Sequence, residues 1–310
     1  MSVERSSRYL PVSDVEQRGS AVAPERGSAD ARLSSILADY FHEELDHART
    51  VGSVGFYARV LTQATLPHSD PKVPIFERRN GSLSLSMAAP PSVGLPYGSI
   101  PRLLLAWITT EAVRTKSREL VLGDHLSGFM RQLRIIPTGG RWGTIRRLRS
   151  QMERLFSTSI WVRYNGARVT AGTGWMVADD YQLWWDPKRP DQPVLWESTI
   201  TLGEHFFREI TEHPVPVSME ALQRLRRSPL ALDLYMWLTY RMSYLRTSTR
   251  VPWAALHLQL GADYANVWHF KPEAIQALHK IVDVYPVVVE ASKDGLILRP
   301  SPTHIPSRPQ

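Results

Sequence analysis

The chain has 310 residues, 43% of them hydrophobic and ten of them tryptophan, which excludes disorder of the whole chain and predicts two domains plus tails. Lysine and arginine outnumber aspartate and glutamate 37 to 30, and the resulting charge of +7 favours a nucleic acid or an anionic membrane surface as partner. Zero cysteines exclude disulfides and thiolate zinc sites, as suits a reducing cytosol.

Residues 1–30 mix Ser, Gly, Pro, Arg and Glu without period and are expected to form a disordered arm, with no apolar segment of signal-peptide type. Residues 31–99 read as an N-terminal helical region and hairpin. Leu33, Ile36, Leu37, Tyr40, Phe41 and Leu45 follow helical spacing, and Asp39, Glu43, Glu44 and Asp46 on the polar face favour packing on the protein over a membrane. A short helix is expected from Phe56 to Ala64, and Asn80-Gly81 between extended runs predicts a type I′ hairpin within 74–88. The most apolar short run, Leu103 to Ile108, lies between Arg102 and Glu111 and is too short to span a bilayer.

The remainder reads as one pattern written twice, over 100–185 and 217–300. An offset of 130 superimposes Trp107 on Trp237, Val121 on Val251, Leu126 on Leu256, Ile145 on Ile275 and Leu148 on Leu278. Each copy opens on a long apolar helix, Ile100 to Thr115 or Leu230 to Leu245, followed by a short extended stretch and a second helix, N-capped in the first copy by Asp124. A third, amphipathic helix leads into a hairpin: Ile160 to Tyr164 with Arg168 to Gly172, or Val287 to Glu290 with Leu296 to Leu298. Helix, strand, helix, helix, hairpin is the order of a winged helix, whose third helix enters the major groove. The expected fold is therefore α+β, two tandem winged-helix domains behind an N-terminal arm and amphipathic helix. Residues 186–216, with a strand over 194–202, a helix over 203–210 and Pro214-Val215-Pro216, read as a connector, and 301–310 as a flexible tail.

The third helix of the first copy carries the strongest functional signal. Between Arg131 and Arg154 stand seven arginines and one acid, Glu153. At 100° per residue Ile145, Leu148, Met152 and Leu155 share a face, while Arg146, Arg147, Ser150 and Arg154 lie opposite, with Arg149 on the flank. Such a face is often only solvated surface. Arginine suits bidentate contact to phosphate or guanine, however, and the scarcity of acids argues against a salt-bridged surface helix. Arg141 precedes this helix, and Arg163 and Arg168 near the hairpin tip suit the adjacent backbone or minor groove. In the second copy Lys271, Gln276 and Lys280 occupy the corresponding helix; its near-neutral face fits either adenine readout by Gln276 or packing and dimerisation. Trp142 fits either a stacking wedge or, as is commoner at helix starts, a core anchor.

No pattern of enzymatic chemistry emerges. The phosphate-binding Gly-x4-Gly-Lys-Ser/Thr string is missing, and Gly139, Gly140 and Gly143 read as a flexible turn. His42 and His47 lie about 140° apart on a helix and do not form a metal pair, and Asp179-Asp180 reads as a solvated turn. No cofactor, metal or catalytic residue is expected.

Leu66-Pro67-His68-Ser69-Asp70-Pro71, Glu77-Arg78-Arg79-Asn80-Gly81, Gly94 through Arg102, Trp107 through Ala112 and Gly139-Gly140-Arg141-Trp142-Gly143 give the chain its family likeness. Over roughly residues 50–250 it resembles the plasmid-encoded RepA-type replication initiators. The resemblance implies a bacterial cytoplasmic, non-enzymatic protein that binds repeated origin sites, or iterons, in double-stranded DNA and recruits host replication proteins. It also implies a switch between a homodimer and a DNA-bound monomer, which the residues leave open. A transcriptional repressor using the same helices is the nearest alternative, and a nucleic-acid-processing enzyme the next.

Overall fold

The computed structural model describes residues 54–80, 82–165 and 170–305. The arm, the amphipathic helix, His42 and His47, Gly81 and Arg168 lie outside them. The described residues belong to one compact unit.

The chain enters through β1 (Val54–Ala58) and α1 (Arg59–Gln63). The helix expected from residue 56 thus begins three residues later. The cause is a partner distant in sequence: β1 pairs antiparallel with β9 (Pro214–Ser218), inside the stretch read as a connector. Prolines are tolerable in β9 because it has one neighbour, and because the Phe56 N–H donates to Thr110 Oγ1 at 2.8 Å. Phe56 and Pro216 are consequently a pair that exchanges no ladder bond, and the missing proline N–H is not needed there.

β2 (Ile75–Asn80) and β3 (Leu83–Ala88) form the expected hairpin, with Asn80 paired to Leu83 as the last rung rather than standing in the turn. The first copy then follows as α2 (Ser99–Thr115), β4 (Glu119–Gly123), α3 (Leu126–Gln132), α4 (Thr144–Phe156), β5 (Ser159–Asn165) and β6 (Thr170–Met176). The second copy runs α7 (Pro229–Tyr244), β10 (Thr249–Pro252), α8 (Trp253–Leu260), α9 (Val267–Val282), β11 (Val289–Ala291) and β12 (Gly295–Leu298). The order of elements is the same in both.

Their sheets differ. In the second copy β10 joins the hairpin to give the order β10-β12-β11. In the first, β4 pairs instead with β8 (Ser198–Leu202), which also pairs with β7 (Ala178–Gln182). The β5–β6 hairpin is widened on its other edge by the incoming hairpin, giving β2-β3-β5-β6. Asp179 and Asp180 thus lie in a strand and not in a turn, and Asp179 is paired with Arg118. Between β8 and β9 runs α5 (Glu204–Glu212), and α6 (Met219–Leu225) leads into the second copy. Asp124 does not cap α3: the N-cap is His125, and the Asp124 carboxylate is bonded to the His125 ring.

The core is organised around α2 and α7. Leu103 to Ile108 in α2 and Leu230 to Tyr240 in α7 are buried on every side, so these helices run through the core instead of lying on it. Pro229 at the first turn and the Ser228 hydroxyl, which accepts from the Ala231 N–H at 3.2 Å, start α7. The two helices are tied by a buried ion pair: Arg102 of α2 donates from Nε and Nη2 to the two Asp233 oxygens of α7, each at 2.6 Å. Arg102 also donates to the carbonyls of Leu66, Pro67 and Gly98, and His68 Nε2 lies 2.8 Å from Asp233 Oδ2. Every charge in this knot therefore has a partner. Burial alone would raise the Asp233 carboxyl, but the Arg102 charge and the His68 hydrogen bond outweigh it and hold the carboxyl below its ordinary value.

Candidate nucleic-acid interface

α4 is helical because its apolar residues recur at the helical period and find a core. Ile145, Leu148, Met152, Leu155 and Phe156 are buried, and buried Gln151 accepts the Tyr97 N–H at 2.8 Å. The expected division into an apolar back and a basic front holds for the first two turns. Arg146 and Arg147 are exposed and have no ion-pair or hydrogen-bond partner among the described residues, and Ser150 lies half-buried between the two faces. With the acids kept away, these guanidinium groups present all their N–H donors to solvent.

Beyond Arg147 the helix differs. Arg149 is half-buried and paired with Glu153 at 3.2 Å, one turn on. Arg154 turns back toward the protein: Nη1 donates to Leu95 O at 3.0 Å, Nη2 stands 3.5 Å from Asp70, and the guanidinium lies 5.2 Å from the Tyr97 ring centre. It fastens the 94–97 loop to the helix. A helical wheel places Arg154 opposite Ile145, but it does not show that a loop returns to meet that side chain.

The approach to α4 is the other notable element. Trp142 is 81% exposed, which overturns the core-anchor alternative, and the Arg141 guanidinium lies 5.2 Å from its ring centre. Arg131 and Arg134 are also exposed. Arg163 projects from β5 on the solvent face of the four-stranded sheet, beside Trp161 two residues earlier and opposite Gly172.

In the second copy, Gln276 and Lys280 are exposed one turn apart on α9. Lys271 is half-buried, donating from Nζ to Lys293 O at 2.9 Å and lying 5.5 Å from the Trp253 ring centre. It braces the hairpin. Trp268, the second residue of α9, is 84% exposed and was not singled out from sequence. The structure thus gathers Arg141, Trp142, Arg146, Arg147 and Ser150 at the start of α4, keeps Gln276 and Lys280 on α9, and employs Arg149, Arg154 and Lys271 internally.

Among the described residues no three His, Asp or Glu side chains gather as metal ligands, and no helix is long and apolar enough to cross a membrane.

No curated protein matches the chain. Among solved structures it is similar to domains 2 and 3 of RctB in their selenomethionine form, with 12% identity and a TM-score of 0.54, covering 79% of this chain and 97% of that one. A second structure of RctB domains 2–3 matches with 13% identity and a TM-score of 0.49, covering 77% and 94%. The first likeness is one of fold. The family model described as plasmid encoded RepA protein matches residues 95–254, just over half of the chain, from the loop that Arg154 fastens, through the basic helix, to the start of the second copy's helix pair. The chain belongs to the family of plasmid-encoded RepA proteins.

Proposed function

We propose that the protein is a plasmid replication initiator that binds repeated sites in its origin by sequence and recruits host replication proteins, without bond-making chemistry of its own. The observation that carries this reading is the Arg146–Arg147 face: two guanidinium groups without a partner among the described residues, on the outer side of a helix whose inner side is fixed in the core. Family membership and the RctB-like fold support it. Both copies are read as winged helices, α4 and α9 being the groove-entering helices and the β5–β6 and β11–β12 hairpins the wings. The β10-β12-β11 pairing, in which the strand before the helix pair joins the hairpin, supports this in the second copy.

In such a complex some arginines grip phosphates, which sets register, and at least one bonds guanine O6 and N7, which reads sequence. Each bidentate guanine contact contributes about 1 to 3 kcal/mol of discrimination. The test is footprinting of the purified protein on its plasmid's origin, followed by deletion of the protected repeats. Protection of direct repeats whose loss abolishes plasmid maintenance is expected. Protection confined to the protein's own promoter, with maintenance intact, would make it a repressor. Strand cleavage in the presence of magnesium would make it an enzyme.

A further inference from the structure

The chain entering α4 is built as a projecting finger. Its base is pinched by two threonines: the Thr138 N–H donates to Thr144 Oγ1 and the Thr144 N–H to Thr138 Oγ1, both at 2.9 Å, while Thr144 Oγ1 donates to Ile136 O at 2.6 Å. Gly143 completes the closure, since a Cβ there would stand 2.2 Å from Thr138 O. Beyond the pinch residues 139–142 are all exposed. A Cβ at Gly139 or Gly140 would meet nothing within 4 Å, and Gly140 takes φ +87°, which suits glycine. Trp142 rides on this finger with Arg141 over one face of its indole, leaving the other face to solvent.

Phosphate binding needs arginines alone, and the indole answers a different need. A flat apolar ring on a pre-closed loop, beside Arg141 and a few residues ahead of Arg146 and Arg147 in a stretch with no acid between Arg131 and Arg147, suits a site that is both polyanionic and aromatic. Duplex DNA presents that combination at a base step. Trp268, the second residue of α9, is likewise exposed.

We propose that Trp142 is a DNA wedge: with Arg141 on the phosphate backbone, the open face of the indole stacks on a base, separating and kinking one step of the duplex beside the site read by α4. This rests on the DNA-binding reading above and adds to it a residue that deforms the duplex.

The test begins with duplexes selected by the full-length protein from a random-sequence library. 2-Aminopurine, whose fluorescence rises on unstacking, is then placed at each position of the selected site. Binding of the wild type is expected to raise the signal several-fold at one or two adjacent positions. Trp142→Ala is expected to abolish that rise, to weaken binding about tenfold and to melt at the wild-type temperature, since the side chain is exposed; Trp142→Phe, which keeps a stacking ring, retains the rise. Binding of the wild type with no brightening at any position, equal brightening with Trp142→Ala, or silence of Trp142→Phe overturns the wedge alone. Failure of the wild type to select any duplex overturns the DNA-binding reading, and the wedge with it.

Discussion

Replacing Asp233 by Asn tests the knot that ties the two copies together. Arg102 and Asp233 are each 1% exposed, and the guanidinium reaches both carboxylate oxygens while its other donors hold Leu66, Pro67 and Gly98 carbonyls. The amide keeps the shape and one acceptor oxygen, but it removes the negative charge and leaves the Arg102 cation uncompensated in the core. Breaking a buried pair in this way costs about 3 to 5 kcal/mol. For a unit of this size that corresponds to a fall in melting temperature of about 6 to 20 °C. The assay is thermal and urea unfolding followed by circular dichroism, with Glu111→Gln as internal control. Glu111 pairs with Arg114 at the surface, and its loss should cost no more than about 1 kcal/mol. A fall for Asp233→Asn as small as that of the control would refute the argument that this pair fixes α2 against α7.

The same knot sets an acid dependence. Burial holds His68 below its ordinary value of 6.5 despite the Asp233 hydrogen bond, so the unfolded chain takes up a proton there before the folded chain does, and stability is lost as pH falls below about 6.5; His68→Gln should flatten the unfolding free energy measured between pH 6.5 and 5. Asp233, held below 3.8, adds a further loss at lower pH as its carboxylate is protonated. Gly143→Ala forces a Cβ against Thr138 O and should weaken DNA binding in an anisotropy titration, whereas Gly139→Ala, in open space, should bind as wild type. Arg154→Ala should lower the melting temperature by a few degrees through loss of its bonds to Leu95 and Asp70, with DNA affinity much less affected than by Arg146→Ala.

What was legible in the sequence is what depends on local period. The two faces of α4 follow from 3.6-residue spacing, and the all-round apolar character of α2 and α7 marks them as central. The repeated order of elements survives in the structure although the sheets around the two copies differ. What was not legible depends on partners far along the chain. β1 is a strand because β9, some 160 residues later, pairs with it, and the prolines of β9 conceal that strand as well. β7 carries Asp179-Asp180, a poor strand signal by propensity, yet β8 pairs with it and Arg118 neutralises Asp179. At the candidate interface the direction of each arginine was the missing information. The sequence sorts Arg146, Arg147 and Arg154 onto one side, but only the returning 94–97 loop determines that Arg154 turns inward. The exposure of Trp142 was equally hidden, because it follows from the threonine pinch across six residues and not from the composition of the loop.

DNA reading by α4 is tested by comparing wild type with the Arg146→Ala/Arg147→Ala double variant on duplexes carrying the origin repeats, by fluorescence anisotropy across a series of salt concentrations. The variant is expected to melt at the wild-type temperature and to bind at least about tenfold more weakly, as loss of even one bidentate base contact implies. Its log-log salt slope should be shallower by about 0.9 for each phosphate contact removed. Equal affinity and an equal slope would remove α4 as the DNA reader.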